Sequence, residues 1–159
     1  MRVQTFISFV HEDAGVAEPL AAYLRNNGYK VFHTADDWML HAGEVWLCRI
    51  KKELSEAKIV LVLFSHRSVT RAWVHFEAGA AWLAGKLMIP LCIGSLRVED
   101  LPIQYRGIQA VMLRDYGSAY YLLRSMHHYG HSEGTMVPPP SPDTCKQLLD
   151  ALAAYSDAP

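Results

Sequence analysis

Short apolar runs rich in β-branched and aromatic residues alternate along the chain with longer stretches whose apolar positions recur at helical spacing. Val3 to Phe9 has the composition of a strand, and a helix is predicted from Ala14 to Asn27, stopped by Gly28. Tyr29 to Thr34 predicts a second strand, and Glu44 to Ser55 a second helix with Val45, Leu47, Ile50 and Leu54 turned inward. Lys58 to Phe64, KIVLVLF, is almost continuously apolar, as a strand covered on both faces must be. Leu87 to Ile93 and Ala110 to Leu113 complete the strands, and Tyr116 to His128 predicts a helix. MVPPPSP is a stiff spacer, after which Ser141 is placed to cap a last helix. In that helix Pro142 stands at the first position, with Cys145, Leu148, Leu149 and Leu152 inward.

Strands alternating with helices imply an α/β fold, a parallel sheet with helices on both faces. For five strands the expected arrangement is a flavodoxin-like doubly wound sheet of order 2-1-3-4-5. That order reverses between strands one and three, and ligands of such sheets bind outside the carboxyl ends of those two strands. The predicted crevice is therefore bordered by Ser8 to Asp13 and by Ser65 to Trp73. The third helix, running through SVTRAWVHFEAGAAW into Leu83, is expected to bury Val69, Trp73, Phe76, Ala80 and Leu83. Glu77 interrupts this apolar sequence about two turns into the helix, beside the predicted crevice.

The 159 residues suffice for one domain with a sizeable core, and 51% hydrophobic against 19% charged residues marks a globular chain. A net charge of -1 offers no electrostatic basis for binding nucleic acid. Cys48, Cys92 and Cys145 lie far apart without CxxC spacing, which suits reduced, buried thiols in a cytoplasmic protein. The first ten residues are too polar for a signal peptide, and no apolar stretch reaches the roughly 18 residues of a membrane span. No membrane association is expected.

Glycine cradles for phosphate are missing: there is no G-x-G-x-x-G after the first strand and no G-x-x-x-x-G-K-[ST]. A phosphoacceptor aspartate is missing too, since Ser65 ends the third strand. FISFVHED, then VFHTADDWMLHAGEVW, then IVLVLFSHRSVTRAWVHFEAGAAW resemble, in order and spacing, the Toll/interleukin-1 receptor (TIR) domains of bacteria. The likeness covers roughly residues 3 to 115, with Trp73 and Glu77 matching the family's W-x-x-x-E. It implies a TIR domain over residues 1–130, with 131–159 a spacer and helix packed on or extending that domain.

The resemblance further implies an NAD glycohydrolase or ADP-ribosyl cyclase, in which Glu77 is the catalytic residue. NAD is then a substrate, and neither a cofactor nor a metal is expected. Loss of nicotinamide leaves positive charge on the ribose, which a fixed carboxylate stabilises. Trp73 is a candidate aromatic wall for the ligand, although a tryptophan at such a position is as often simply core. Ser8, Phe9 and Ser65 at the strand ends are candidate substrate contacts, weighed against ordinary capping, as is His11. Asp36 and Asp37 open a loop, ADDWMLHAGE, that the family uses to gate the site or to reach a neighbouring subunit. Its apolar Trp38, Met39 and Leu40 add to an expectation of self-association. Partners of separate origin, a sensor or an effector of antiviral defence, are expected because the chain is mostly TIR-like. The alternative class is a non-catalytic TIR module that assembles signalling complexes. His127, His128 and His131 lack a convincing fourth ligand beyond Glu133, and a zinc site is not expected.

Overall fold

A computed structural model describes residues 2–35, 44–132, 134 and 137–153. The five strands are β1 (Gln4–Phe9), β2 (Lys30–Ala35), β3 (Ile59–Phe64), β4 (Leu87–Cys92) and β5 (Val111–Met112). The helices are α1 (Ala14–Asn26), α2 (Glu44–Glu56), α3 (Ala72–Leu83), α4 (Tyr116–Ser132) and α5 (Pro142–Leu152). All strand pairs are parallel and the order is β2-β1-β3-β4-β5. β1 therefore lies between β2 and β3, with Ser8 facing Val62 in register.

Alternation along the strands splits the core into two layers. Ile7, Phe9, Leu61, Leu63 and Leu91 face α1, α4 and α5, meeting Leu20, Leu24, Leu122, Met126 and Leu148. Phe6, Val60, Val62, Phe64 and Met88 face α2 and α3, meeting Ile50, Leu54, Val74, Ala78 and Ala81. The continuous apolar run of β3 is thereby explained, since each of its residues is buried against one helical layer or the other.

Some expected boundaries shift. β5 is shorter than the predicted Ala110 to Leu113, and it pairs only with Leu91 and Cys92, beyond Pro90, which has no N–H to give a ladder. α4 continues past His128 to Ser132, so the HHYGH sequence is helical. The end of α1 is as read: Gly28 adopts a φ of 92°, a conformation glycine takes at no steric cost. α5 begins at the expected cap, with Ser141 Oγ accepting from the Thr144 amide at 3.2 Å. Its Cys145 and Leu148 are buried in the layer shared with α1 and α4, while Leu149 and Leu152 are half-buried against it. Ile50 and Leu54 of α2 are buried as expected; the side chains of Val45 and Leu47 lie outside the described residues. Cys92 and Cys145 are buried, but Cys48 is exposed, because α2 turns that position away from the sheet.

His33 on β2 packs on Phe9, ring centroids 5.5 Å apart, and its Nε2 lies 3.3 Å from Glu18 Oε2. Burial holds its pKa below the ordinary histidine value; Glu18 opposes this and Arg25 adds to it. The folded state thus resists protonating a side chain that the unfolded chain protonates near pH 6.5, so this stability is present above about that pH and lost as pH falls below it. Thermal melts should show His33→Phe losing less stability than the wild type between about pH 7 and 5.5, a difference of a few degrees. Parallel acid losses in both proteins would count against this role.

Among the described residues no helix is long and apolar enough to cross a membrane.

Candidate active site

The turn before α3 is set by serines rather than by a helix cap. Ser68 Oγ accepts from the Ser65 amide at 2.8 Å, and Ser65 Oγ accepts from the amides of Arg67 and Ser68, each at 3.2 Å. Ser65 Oγ in turn donates to Asp13 Oδ2 at 2.8 Å, and Asp13 is fully buried. Arg71 and Glu12 form a half-exposed ion pair at 2.7 Å that ties the same turn to the segment leaving β1. One turn into α3, His75 Nε2 donates to the Val69 carbonyl at 2.8 Å, so its Nδ1 can accept the Tyr105 hydroxyl, also at 2.8 Å. Phe64 lies beneath, its ring 4.9 Å from Tyr105 and 5.8 Å from His75. The start of α3 is thus fixed at the carboxyl ends of β1 and β3 by hydrogen bonds and rings together.

The buried face of α3 differs from the expected one. Val74, Glu77, Ala78 and Ala81 are turned to the sheet, Trp73 and Ala80 are half-buried, and Phe76 and Leu83 are 63% and 80% exposed. Almost every position of this helix is apolar, so periodicity alone could not select its inner face. Glu77 is therefore no intruder on the flank of a packed face. It lies in that face, 1% exposed. Its Oε2 accepts the hydroxyl of Ser8, which is itself fully buried on the side of β1 that faces α2 and α3.

Between α2 and α3 lies a cleft of about 550 Å³. Its described lining includes Ile50, Leu54, Trp73, Phe76, Ala80 and, at the sheet side, Glu77, with Lys51 as its cation. The Trp73 and Phe76 rings stack at a centroid distance of 5.3 Å. An apolar, aromatic-walled cleft holding one nearly buried carboxylate is suited to a ligand that carries or develops positive charge beside it.

The other expected contacts separate around this centre. Ser8 touches Glu77, and Trp73 lines the cleft, as does Glu77 itself. Ser65 and Phe9 instead face the α1 layer, Ser65 bonding Asp13 and Phe9 packing on His33. His11 opens a short 3-10 turn after β1 and is exposed. Asp36, Asp37, Trp38, Met39, Leu40 and Gly43 lie outside the described residues, as does Glu133. His127 Nδ1 bonds the Val137 carbonyl at 2.7 Å and its ring lies 6.0 Å from that of His131. No group of three or more potential metal ligands gathers among the described residues. The sequence places Phe76, Ile50 and Leu54 in the core and does not mark them as walls of the cleft, because nothing in their spacing distinguishes a cleft wall from packing.

A family model described as TIR domain matches residues 5–123. Among solved structures, the TIR domain of the Toll-related receptor TRR-2 from Hydra magnipapillata is similar at 16% identity and a TM-score of 0.54, covering 68% of this chain and 82% of that one. A metazoan TIR-STING receptor from C. gigas is similar at 17% identity and a TM-score of 0.55, with 83% of this chain covered but only 53% of the receptor structure. At such identities the likeness is one of fold. No curated protein matches the chain significantly.

Proposed function

The chain belongs to the TIR-domain family, and we propose that it cleaves the N-glycosidic bond between nicotinamide and ribose in NAD, with Glu77 as the catalytic carboxylate. The observation that carries this reading is the nearly buried Glu77 at the sheet side of an apolar cleft, where Trp73 and Phe76 form the wall. Nicotinamide in NAD is already cationic, so it departs with the bonding electron pair as a neutral molecule and leaves the charge on the ribose ring. A carboxylate fixed beside that carbon stabilises the charge as it forms, and the surrounding apolar groups strengthen the interaction by excluding water. Capture of the ribosyl cation by water gives ADP-ribose and a proton; capture by a nitrogen of the adenine ring, with loss of a proton from the adenine, gives a cyclic ADP-ribose that contains one water less. Trp73 offers a face to the nicotinamide or ribose, and Lys51 at the cleft is suited to the pyrophosphate. His11, Asp36 and Asp37 are proposed to complete the substrate site at the strand ends, and a separately encoded effector of antiviral defence is proposed to read the product.

A second reading, the assembly module without chemistry, draws support from exposed apolar side chains. Phe76, Trp82 and Leu83 on α3 are all more than 60% exposed, as is Ile103. The two readings part at the cleft. Ala80→Phe should obstruct it without disturbing the core, because Ala80 is half-buried at its wall. Nicotinamide release, followed by chromatography, should fall at least about tenfold while light scattering shows unchanged assembly. Release at the wild-type rate would show that NAD is not handled in this cleft, and no release by either protein would favour the assembly module.

A further inference from the structure

We infer that Ser8 is the positioning residue for the Glu77 carboxylate, acting on the reaction through that hydrogen bond and not by touching substrate. The inference rests on Glu77 being the cleaving group. Ser8 is fully buried, and it is not among the described residues that line the cleft. Its neighbours of the same parity, Phe6 and Val10, belong to the layer beneath α2 and α3, so its hydroxyl is directed at the buried face of α3. There it donates to Glu77 Oε2.

A strand gives this donor a fixed address. β1 is held on both sides, by β2 and by β3, and Ser8 is paired in register with Thr34 and Val62. A single torsion places its oxygen, so only acceptors close to the strand are within its reach. Glu77, by contrast, has a flexible side chain on a helix, and needs an external contact to hold one carboxylate orientation. A hydroxyl donor also favours the ionised form of a carboxyl group over the neutral one. The same bond therefore acts on both the orientation and the charge of the carboxylate. An alanine at position 8 would fit the strand and the layer equally well, which is why packing alone does not account for the serine.

The test compares wild type, Ser8→Ala and Ser8→Thr, each checked by thermal melting. Carboxyl carbon-13 resonances, assigned with Glu77→Gln, report the titration of Glu77 whether or not the protein turns over. Loss of the donor should raise that titration by about one pH unit in Ser8→Ala, and Ser8→Thr should restore it. Turnover of NAD by Ser8→Ala should fall at least about tenfold in kcat with KM changed less than about twofold, and the acid limb of its pH profile should move up with the titration. Should Ser8→Ala not fold, Ser8→Cys, which keeps the size with a weaker donor, should show the same changes in smaller degree. An unmoved Glu77 titration in the folded variant, or kcat and pH profile equal to those of wild type, would overturn the inference. A wild type that leaves NAD intact would remove the NAD-cleaving function instead, while the titration would still decide whether Ser8 governs the carboxylate.

Discussion

Glu77→Gln is expected to leave the fold and NAD binding nearly intact and to lower nicotinamide release by at least a hundredfold. The amide has the shape of the acid and can still accept the Ser8 hydroxyl through its carbonyl oxygen, so α3 keeps its seat on the sheet. Binding draws on the aromatic wall and on contacts to the pyrophosphate, neither of which depends on the lost charge. The transition state does depend on it. Removing one preorganised electrostatic group typically costs about 10²–10³ in rate, and the apolar surroundings of Glu77 put this case at the upper end or beyond. Melting temperature should be unchanged or slightly higher, because a nearly buried charge is costly to keep and the neutral amide avoids that cost. A variant that melted much lower yet turned over normally would make Glu77 a structural residue only.

Phe64→Ala should be the most destabilising single change considered. Phe64 ends β3, is fully buried, and supports both Tyr105 and His75 through ring contacts. Truncating a buried phenylalanine leaves a cavity as well as losing transfer energy, about 3–5 kcal/mol together. For a domain of this size that corresponds to a fall of roughly 6–20 °C in melting temperature. Phe76→Ala, on the exposed side of α3, is expected to cost no more than about 0.5 kcal/mol. The contrast matters because the pattern of the chain assigns Phe76 to the core. Denaturant unfolding of both variants would check it, and equal losses would mean that α3 is rotated from the orientation described.

Much of this architecture could be read before any coordinates. The KIVLVLF run, Gly28 after the first helix and Ser141 before the last are local signals, each with a local physical cause, and the topology follows from alternation of strand and helix. The family's motif also singled out Glu77 and Trp73, which meet at one cleft. What stayed illegible is rotation and side. α3 is apolar nearly all round, so its inner face is chosen by the sheet, which takes Val74, Glu77, Ala78 and Ala81. Ser8 and Ser65 both end strands, and each lies in step with apolar residues of its own strand, Phe6 for one, Leu61 and Leu63 for the other. Because both faces of the sheet are covered by apolar layers, sequence parity does not say which serine meets Glu77 and which meets Asp13. The cleft walls were equally hidden, since a wall and a core position carry the same residue types.

The most direct test of the account asks which bond of NAD is broken. Purified protein, over a wide range of concentrations because self-association is expected of the chain, would be incubated with NAD and the products identified by chromatography and mass spectrometry. Free nicotinamide should be matched one for one by ADP-ribose or by cyclic ADP-ribose, with neither product from Glu77→Gln beyond a hundredth of the wild-type rate. NAD left intact at every concentration, or cut at the pyrophosphate into two mononucleotides, would contradict it.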